Sequence, residues 1–568
     1  MDINSTDPTL QNSGAGVESA QPTSNKLKTP WNNRTVAELI LDQLKLWGVK
    51  RIYGVVGDAI LGLLDAIAKQ DEIRFIAVKH ESAAAMMASA EAKLTGALAV
   101  CAATMGPGLG NLLNGLGDAY LDKAPVLVIT GQAPTDKIGT EYKQYINQQE
   151  LIRPLAAYST QLVSPFAVVE VLVKAMQTSL TQGAVSHLSI PKDMFTMLIP
   201  SKLRPKATVI KGAAAFQKED LQQALQIMES AKQPMILAGI GAKQAASQLE
   251  KLARQWGAGI LLSLGAKGIL PESSDYLLGG IGQGGNPYAA DVFKQADVVL
   301  LVGDTWWPEG YVPTDARIIQ IDNDPVNIAK GIPVEVGIVA QSQTVVPLLA
   351  ESLSSYKEND DWISRWKSVK QRWQKENEQE GKQSGSPIHP ARVVRAVEMA
   401  VQPDAIIALD TGNHTVWINR NFRAQKQEFL FSGEWRTMGF GLPAAIAAKL
   451  VYPERQVVCI VGDGGIEMVL AELLTTVRYK LPIIVIVLNN HSLQMERDKM
   501  QAGGFQDTGS TELTNPDFVK LAEACGWQGI RVDRDNQLDT ALQQALSRNK
   551  PTLVDITTSA VMHPETKA

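Results

Sequence analysis

Short, uniformly apolar runs alternate along the chain with longer stretches in which apolar residues recur at helical spacing. The pattern is clearest between residues 455 and 492. The segments there are, in order, an apolar run (457–461), a Gly-Asp-Gly-Gly turn (462–465), a helical stretch (466–479) and a second apolar run (483–488) followed by Asn489-Asn490. Short strands that are apolar on both faces are typical of a parallel sheet covered by helices on both sides. Residues 455–492 therefore predict a β-α-β unit.

The same alternation extends through most of the chain and predicts an α/β fold class with three doubly wound parallel-sheet domains. A length of 568 residues also exceeds what one core usually holds. The predicted units are a disordered, polar tail (1–33), a first domain (34–200), a linker within 205–225, a middle domain (215–350), a charged helix (357–380), a flexible joint (381–386) and a third domain (387–568).

Polar residues follow both apolar runs of the β-α-β unit. Asp463 and Asn490 each follow the carboxyl end of a predicted strand, where parallel sheets bind their ligands. Backbone N–H groups of Gly464 and Gly465 at a helix start suit a phosphate. A carboxylate beside an amide oxygen suits Mg²⁺. The alternative is a tight turn with a capping Asp and a polar strand end; the position of Asn490 favours a diphosphate–metal site.

Gly462-Asp463-Gly464, closed by Asn489-Asn490, resembles the diphosphate signature of thiamine diphosphate enzymes. The resemblance implies that Asp463 and the Asn490 side chain bind Mg²⁺, with the main-chain oxygen of Ser492 as a third ligand. It makes the third domain the diphosphate- and Mg-binding domain. The cofactor-binding residues that it implies there are Gly412, Asn413, Met438, Gly462, Gly464, Gly465 and Asn490. Met438 would brace the bent cofactor; the alternative is a core gap-filler.

A second part of the resemblance lies in the first domain. His80-Glu81 follows the predicted strand 73–79, and Gly106-Pro107-Gly108 follows a later one. These residues resemble the pyrimidine-binding domain of thiamine enzymes, in which a buried Glu bonds the aminopyrimidine ring and favours its imino tautomer. Glu81 is then both catalytic and cofactor-binding; the alternative is a capping carboxylate. The first and third domains would be one fold used twice, and the family places Glu81 and Asp463 on different chains of a homodimer or homotetramer.

Over residues 34–560 the chain most resembles pyruvate oxidases, especially the quinone-linked kind, and acetolactate synthases share that scaffold. The implied reaction is decarboxylation of a 2-oxo acid, pyruvate or a more acidic analogue, through a thiamine-bound enamine. The alternative is an acetolactate synthase-type carboligase. Three residues depart from the family where substrate would lie: Lys143, Gln494 and Lys499. Lys143 precedes Gln144, which matches the family. We predict that Lys143, Gln144 and Lys499 act with Glu81 in catalysis.

The middle domain carries a weaker signal. A glycine turn after a strand, Gly239-Ile240-Gly241-Ala242, and Asp322 at a later strand end could bind a dinucleotide. Against this, residues 306–310 and Gln341 differ from the segments that contact flavin in the oxidases. The sequence leaves FAD open, while thiamine diphosphate and Mg²⁺ are the predicted cofactors.

Composition limits the partners and the cellular location that we expect for this protein. The chain has 54 basic and 59 acidic residues, which gives no electrostatic case for nucleic acid. Its three cysteines lack metal-type spacing, and no apolar run has the length of a membrane span or the order of a signal peptide. We therefore expect a cytoplasmic protein without stable membrane association, whose partners are a small 2-oxo acid and further copies of itself.

Overall fold

The computed structural model describes residues 33–206, 216, 218–353 and 356–564. The predicted tail therefore lies outside the described residues, apart from Asn33. Three six-stranded parallel sheets dominate the described part, each with helices packed on both faces. The predicted α/β class with three doubly wound domains is confirmed. No helix within the described ranges combines the length and apolarity that crossing a bilayer requires.

The first domain is built on a six-stranded parallel sheet whose strands are connected by helices. Its strands are β1 (Asn33–Thr35), β2 (Arg51–Gly54), β3 (Arg74–Ala77), β4 (Ala99–Ala103), β5 (Val126–Gln132), β6 (Tyr158–Gln161), β7 (Val185–Pro191) and β8 (Leu198–Pro200). Its helices are α1 (Val36–Leu46), α2 (Leu61–Ala68), α3 (Glu81–Thr95), α4 (Pro107–Leu121), α5 (Gln148–Ile152) and α6 (Val168–Gln182). The strand order is β3-β2-β4-β5-β7-β6, while β1 and β8 form a separate antiparallel pair.

The middle domain has the strand order β11-β10-β9-β12-β13-β14. Its strands are β9 (Pro234–Ala238), β10 (Gly259–Leu262), β11 (Leu277–Gly280), β12 (Val298–Val302), β13 (Arg317–Asp322) and β14 (Val334–Val339). Its helices are α7 (Lys218–Ser230), α8 (Ala246–Trp256), α9 (Pro287–Phe293) and α10 (Ser342–Ser352). The linker predicted within 205–225 is wrong at its end, because α7 begins at Lys218. The helix is polar overall and buries only a narrow stripe that includes Ile227 and Met228.

The third domain follows α11 (Asp360–Glu380), the predicted charged helix. Its strands are β15 (Ile406–Leu409), β16 (Glu428–Leu430), β17 (Val457–Gly462), β18 (Ile484–Asn489), β19 (Gln528–Val532) and β20 (Thr552–Thr557). Its helices are α12 (Pro390–Ala400), α13 (Asn413–Asn421), α14 (Gly441–Val451), α15 (Asp463–Glu467), α16 (Glu472–Arg478), α17 (Gln494–Ala502), α18 (Phe518–Ala524) and α19 (Asp535–Leu546). The order β16-β15-β17-β18-β20-β19 repeats that of the first domain strand for strand, which confirms one fold used twice.

The predicted single helix over 466–479 is wrong, because the structure divides it into α15 and α16. Met468, between them, is exposed, whereas Glu472 at the start of α16 is buried. The Glu472 carboxylate accepts hydrogen bonds from the backbone N–H groups of Lys79 (2.9 Å) and His80 (3.1 Å) in the first domain. A contact between distant segments therefore sets where the second helix begins.

One apolar core joins the first and third domains. Helices α3 and α4 pack against each other, and α14 packs on α3. Leu112 and Leu116 of α4 lie in the same buried cluster as Phe440 and Ile446 of the third domain. Burial of each such side chain contributes about 1.5–3 kcal/mol, so this contact fixes the two domains of one chain relative to each other.

Candidate active site

Asp463 is buried at the end of β17, with 2% of its surface exposed. Its Oδ2 accepts hydrogen bonds from the backbone N–H groups of Asn490 (3.2 Å) and His491 (2.7 Å). The same oxygen accepts from Asn515 Nδ2 at 2.9 Å, and Oδ1 accepts from the N–H of Gly464 at 3.1 Å. Burial raises the pKa of Asp463, and these hydrogen bonds oppose the rise. All four donors are neutral, so a cation would stabilise the ionised carboxylate further.

The predicted metal ligands lie together in the turn after β18. Asn490 Oδ1 accepts a hydrogen bond from the N–H of Ser492 at 3.1 Å, which closes the turn next to Asp463. The hydroxyl oxygen of Ser492 is buried and makes no hydrogen bond. One carboxylate with amide and main-chain oxygens is the donor chemistry that Mg²⁺ takes beside phosphate oxygens. No group of three or more His, Cys, Asp or Glu residues suited to a metal occurs within the described residues.

Asn515 is a site residue that the sequence did not indicate. It lies on the loop before α18, and its Nδ2 bonds both Asp463 and the Oδ1 of Asn489 (2.8 Å). Asn489 in turn donates from Nδ2 to Asp555 at 3.0 Å. The amide thus fixes the carboxylate from a segment remote in sequence, where no local pattern could point to it.

A second buried carboxylate, Asp410, lies at the end of β15 with 1% of its surface exposed. It accepts hydrogen bonds from the N–H groups of Thr411 (2.8 Å), Gly439 (2.9 Å) and Gly441 (2.9 Å). Burial raises the pKa of Asp410 to about 6. The sequence analysis named Gly412 and Asn413 of this segment as cofactor-binding but gave Asp410 no role. The structure shows that it ties the segment containing Met438 to the sheet; its position after a buried strand was the available signal.

A pocket opens at this edge of the third sheet, beneath the start of α17. The predicted cofactor-binding residues of the third domain all line it, namely Gly412, Asn413, Met438, Gly462, Gly464, Gly465 and Asn490, together with Asp463 and Ser492. Met438 is half-buried, and a Cβ atom placed on Gly464 would lie 3.3 Å from its Cε. Met438 therefore faces the glycine turn of the pocket, not a closed core.

The start of α17 covers the pocket. Asp498 is fully buried and accepts hydrogen bonds from Gln494 Nε2 (2.5 Å) and Asn413 Nδ2 (2.9 Å). Burial raises the pKa of Asp498. Lys499 is partly exposed and pairs with Glu496 at 3.0 Å, and Glu496 itself lines the pocket. The positive charge of Lys499 thus has an acidic neighbour on its own helix.

Glu81 is the first residue of α3, with 9% of its surface exposed. Its Oε2 accepts a hydrogen bond from Asn111 Nδ2 at 3.0 Å. The side chain that caps α3 belongs to His80, whose Nδ1 accepts from the N–H of Ser82 at 3.2 Å. His80 therefore caps α3, which was the alternative role for Glu81. The Glu81 carboxylate is instead bonded by Asn111 of α4.

Gln144 and Lys143 lie on an exposed loop at the same edge of the first sheet. Gln144 has φ of 61°, and its carbonyl oxygen would lie 2.4 Å from a Cβ atom on Gly106, which has the same φ. The loop thus rests on the start of α4. The charge of Lys143 adds to the hydrogen bond from Lys192 in lowering the pKa of Asp58. Among the described residues, those lining the pocket at Asp463 all belong to the third domain, so Glu81 and this loop lie elsewhere in the single chain.

The glycine turn of the middle domain is bonded within its own sheet. The N–H of Gly241 donates to the carbonyl of Gly303 at 3.1 Å, and a Cβ atom on Gly239 would collide with Gly303 and Asp304. Asp322 holds its own turn by accepting a hydrogen bond from Asn327 Nδ2 at 2.9 Å. The contacts of these residues are internal to the middle domain.

Three family models match the chain in order. They are the N-terminal TPP binding domain (residues 34–151), the central domain (221–349) and the C-terminal TPP binding domain (410–556) of thiamine pyrophosphate enzymes. The chain belongs to the thiamine pyrophosphate enzyme family. The predicted resemblance is confirmed, and the pocket at Asp463 lies in the domain whose model is described as TPP binding.

Relatives of this thiamine pyrophosphate enzyme are similar over nearly their full length. A putative thiamine pyrophosphate-containing protein, YdaP, of Bacillus subtilis is 36% identical over 529 residues, 92% of each chain. The pyruvate oxidase of Lactiplantibacillus plantarum is 31% identical and covers 93% of this chain and 89% of its own. The acetolactate synthase large subunit of Haemophilus influenzae is 32% identical, with 93% and 95% covered. Identity at this level does not separate the oxidases from the synthases.

Proposed function

We propose that this protein is a thiamine diphosphate- and Mg²⁺-dependent enzyme that decarboxylates a 2-oxo acid, pyruvate or a more acidic analogue, as pyruvate oxidases do. The observation that carries the proposal is the meeting of Asp463 and Asn490 at one sheet edge, beside the glycine turn 462–465. A synthase-type carboligase is the second candidate. It is favoured by the similar identity to an acetolactate synthase, and it would join the product of decarboxylation to a second carbonyl compound without a redox acceptor.

In this proposal the third domain binds the cofactor. Asp463, the Asn490 amide and the main-chain oxygen of Ser492 would hold Mg²⁺ against the diphosphate. The N–H groups of Gly464 and Gly465, at the start of α15, would bind phosphate oxygens. Met438 would support the bent cofactor. When bound, thiamine diphosphate supplies the electron sink that decarboxylation of a 2-oxo acid requires.

The first domain supplies the acid–base group. Glu81 is screened from water and oriented by Asn111, so it can hold a proton at a ring nitrogen of the aminopyrimidine. In this proposal the Gln144 amide and Lys143, on the exposed loop 139–145, would bind the substrate carboxylate. Lys499 would reach the substrate from α17, with Glu496 beside it.

The site requires at least a homodimer in this proposal. The pocket at Asp463 is lined by the third domain, so a second chain would bring Glu81 to it. Met468 and Leu474, which follow the glycine turn, are exposed apolar side chains of the kind that a subunit interface covers. Light scattering together with activity at the same concentration tests this point; an active monomer would contradict it.

Product analysis tests the reaction. The purified protein is supplied with thiamine diphosphate, Mg²⁺ and pyruvate, and release of CO₂ is followed. Gas chromatography for acetolactate and acetoin identifies the carboligase, whereas acetate with reduction of a quinone or dye identifies the oxidase. An ultraviolet–visible spectrum of the same sample shows whether flavin is bound. Absence of CO₂ release from every 2-oxo acid tried, with cofactor bound, would refute the proposed reaction.

A further inference from the structure

A dinucleotide would bind the middle domain at the crevice between β9 and β12. The strand order β11-β10-β9-β12-β13-β14 changes direction there, and open α/β sheets bind their ligands at such a point. The glycine turn 239–242 follows β9, and Gly303 and Asp304 follow β12. FAD, which the sequence leaves open, would therefore need this crevice for its diphosphate.

The two sides of the crevice touch each other, backbone to backbone. The N–H of Gly241 donates to the carbonyl of Gly303 at 3.1 Å, and a Cβ atom on Gly303 would lie 2.5 Å from the Cα of Gly241. The carbonyl oxygen of Gly241 accepts a hydrogen bond from Ser342 Oγ at 2.6 Å, so the start of α10 holds the turn as well. A diphosphate would have to break the contact between Gly241 and Gly303 in order to enter.

The crevice also carries a negative charge. Asp304 lies against the glycine turn, since a Cβ atom on Gly239 would lie 2.7 Å from its carboxyl carbon. Its Oδ1 accepts a hydrogen bond from the N–H of Trp306 at 2.9 Å. Burial raises the pKa of Asp304 to about 6, so the carboxylate is ionised at neutral pH. This charge repels the anionic diphosphate of a dinucleotide.

A second glycine-rich segment, the loop 279–285 after β11, is occupied by groups of the chain itself. Glycine allows a backbone to approach a ligand closely. Here a Cβ atom on Gly282 would collide with the Trp306 ring, and one on Gly284 would lie 2.5 Å from Cγ1 of Val416. Asn419 donates from Nδ2 to the carbonyl of Gln283 at 3.2 Å. The loop thus holds a tryptophan of its own domain and helix α13 of the third domain.

We propose that the crevice and the glycine loop of the middle domain hold parts of this chain in place of FAD, and that the loop positions α13 for cofactor binding. The part on flavin stands by itself. The part on α13 rests on the proposed function, in which Asn413, the first residue of that helix, belongs to the diphosphate pocket. The loop contacts Val416 and Asn419, within two turns of Asn413, so a shift of the loop moves Asn413 with the helix.

Adding FAD to the protein tests whether the crevice is closed. A spectrum after purification alone would miss a flavin lost on the way, so the full-length protein is dialysed to equilibrium against FAD, with and without thiamine diphosphate and Mg²⁺. We expect no saturable binding. FAD retained through purification, or FAD bound at one molecule per chain with a micromolar or lower dissociation constant, would overturn the closed crevice.

A matched pair of glycine substitutions tests the role of the loop. Gly284 and Gly331 both have φ of 72°, so alanine adds similar backbone strain at either position. A Cβ atom on Gly284 meets Val416, whereas one on Gly331 meets nothing within 4 Å. Gly284→Ala should weaken the binding of thiamine diphosphate at saturating Mg²⁺ by about tenfold, because the clash displaces α13. Gly331→Ala should bind as the wild type does, and calorimetric titration measures both without turnover.

Each outcome decides one question. Equal affinities of the wild type and Gly284→Ala for thiamine diphosphate would overturn the positioning role of the loop. If Gly284→Ala is not folded by circular dichroism, Asn419→Ala removes the hydrogen bond to Gln283 instead and is judged by the same criterion. A wild type that binds no thiamine diphosphate would refute the proposed function, and the dialysis against FAD would still decide whether the crevice is closed.

Discussion

The first and third domains share one strand order, yet the residues that follow two corresponding strands are acidic in the third domain and uncharged in the first. In the third domain, Asp410 follows β15 and Asp463 follows β17, and both carboxylates are buried. At the corresponding ends in the first domain, Val55 follows β2 and Thr104 follows β4. The first domain instead places its carboxylate, Glu81, at the start of a helix. The scaffold itself is therefore neutral towards function, and the residue after each strand decides what the sheet edge can bind.

The difference also shows what a buried carboxylate needs. Asp410 and Asp463 are each surrounded by backbone N–H groups, and Asp463 has in addition the Asn515 amide. Glu81 has one amide partner among the hydrogen bonds that the structure shows, from Asn111, which leaves its second oxygen for a ligand. In the proposed function, the third domain would therefore hold the charged groups and the first domain would exchange a proton.

Removing the charge-holding carboxylate should have the largest effect. Asp463→Ala should lose retention of thiamine diphosphate and Mg²⁺ altogether, because the cation would lose its only carboxylate ligand, while the fold remains intact. The measurement is cofactor content after gel filtration, with circular dichroism for the fold. Asp58→Ala is the matched control, since Asp58 is an exposed carboxylate of the first domain, at the start of a short 3₁₀ helix, that pairs with Lys192. Unchanged cofactor affinity in Asp463→Ala would show that the third-domain carboxylate does not hold the cation and the cofactor.

Glu81→Gln should separate binding from activation. The variant should still bind thiamine diphosphate and Mg²⁺, but the cofactor C2 proton should exchange more slowly by roughly two to four orders of magnitude, the usual contribution of a positioned acid–base group. Proton NMR of quenched samples in D₂O measures the rate. Glu150→Gln, an exposed carboxylate of the same domain, serves as the control. Exchange at the wild-type rate in Glu81→Gln would leave the first domain without its proposed role.

Each of the two domains also buries a histidine, and the first-domain residue predicts a pH effect. His187 lies in β7 between Thr130 and Ser159, and burial lowers its pKa to about 3. The unfolded chain binds a proton near pH 6.5 and the folded chain does not, so stability is lost as the pH falls below about 6.5. Between pH 7.5 and pH 5 the free energy of unfolding of the wild type should fall by about 2 kcal/mol more than that of His187→Gln. Denaturant titrations at the two pH values measure this difference, and equal losses would show that His187 does not control it.

The two lysines should give the smallest effect. Lys143 lies on the exposed first-domain loop near Asp58, whereas Lys499 is paired with Glu496 in the third domain. Replacing Lys143 with Met should lower the preference for dianionic 2-oxo acids over pyruvate by about fivefold, since a charge pair in water contributes about 1 kcal/mol. Lys499→Met should change it less. Steady-state kinetics with both substrate classes, with and without phosphate, gives the comparison. A preference unchanged for every anion would restore plain pyruvate as the substrate.

Sequence reasoning was strongest where function and local pattern coincide. Asp463 and Asn490 were predictable because each follows an apolar strand, and the three-domain α/β fold followed from the alternation of strands and helices. Asn515 and the division of helix 466–479 were not predictable, because both depend on contacts between distant segments. In the proposed dimer, whether Lys143 and Lys499 face the substrate depends on a second chain, and no local sequence pattern carries that information.

The contact of Glu472 with the turn before Glu81 has a consequence for protein engineering. The Glu472 carboxylate of the third domain accepts hydrogen bonds from two backbone N–H groups of the first domain, directly before Glu81. A chimera that combines the first domain of this chain with the third domain of a relative would need a carboxylate at the same place. Without it, the graft would leave two amides unbonded beside the helix that carries Glu81. Shuffling whole domains within the family is therefore constrained by a single side chain, far from the borders at which such fusions are usually cut.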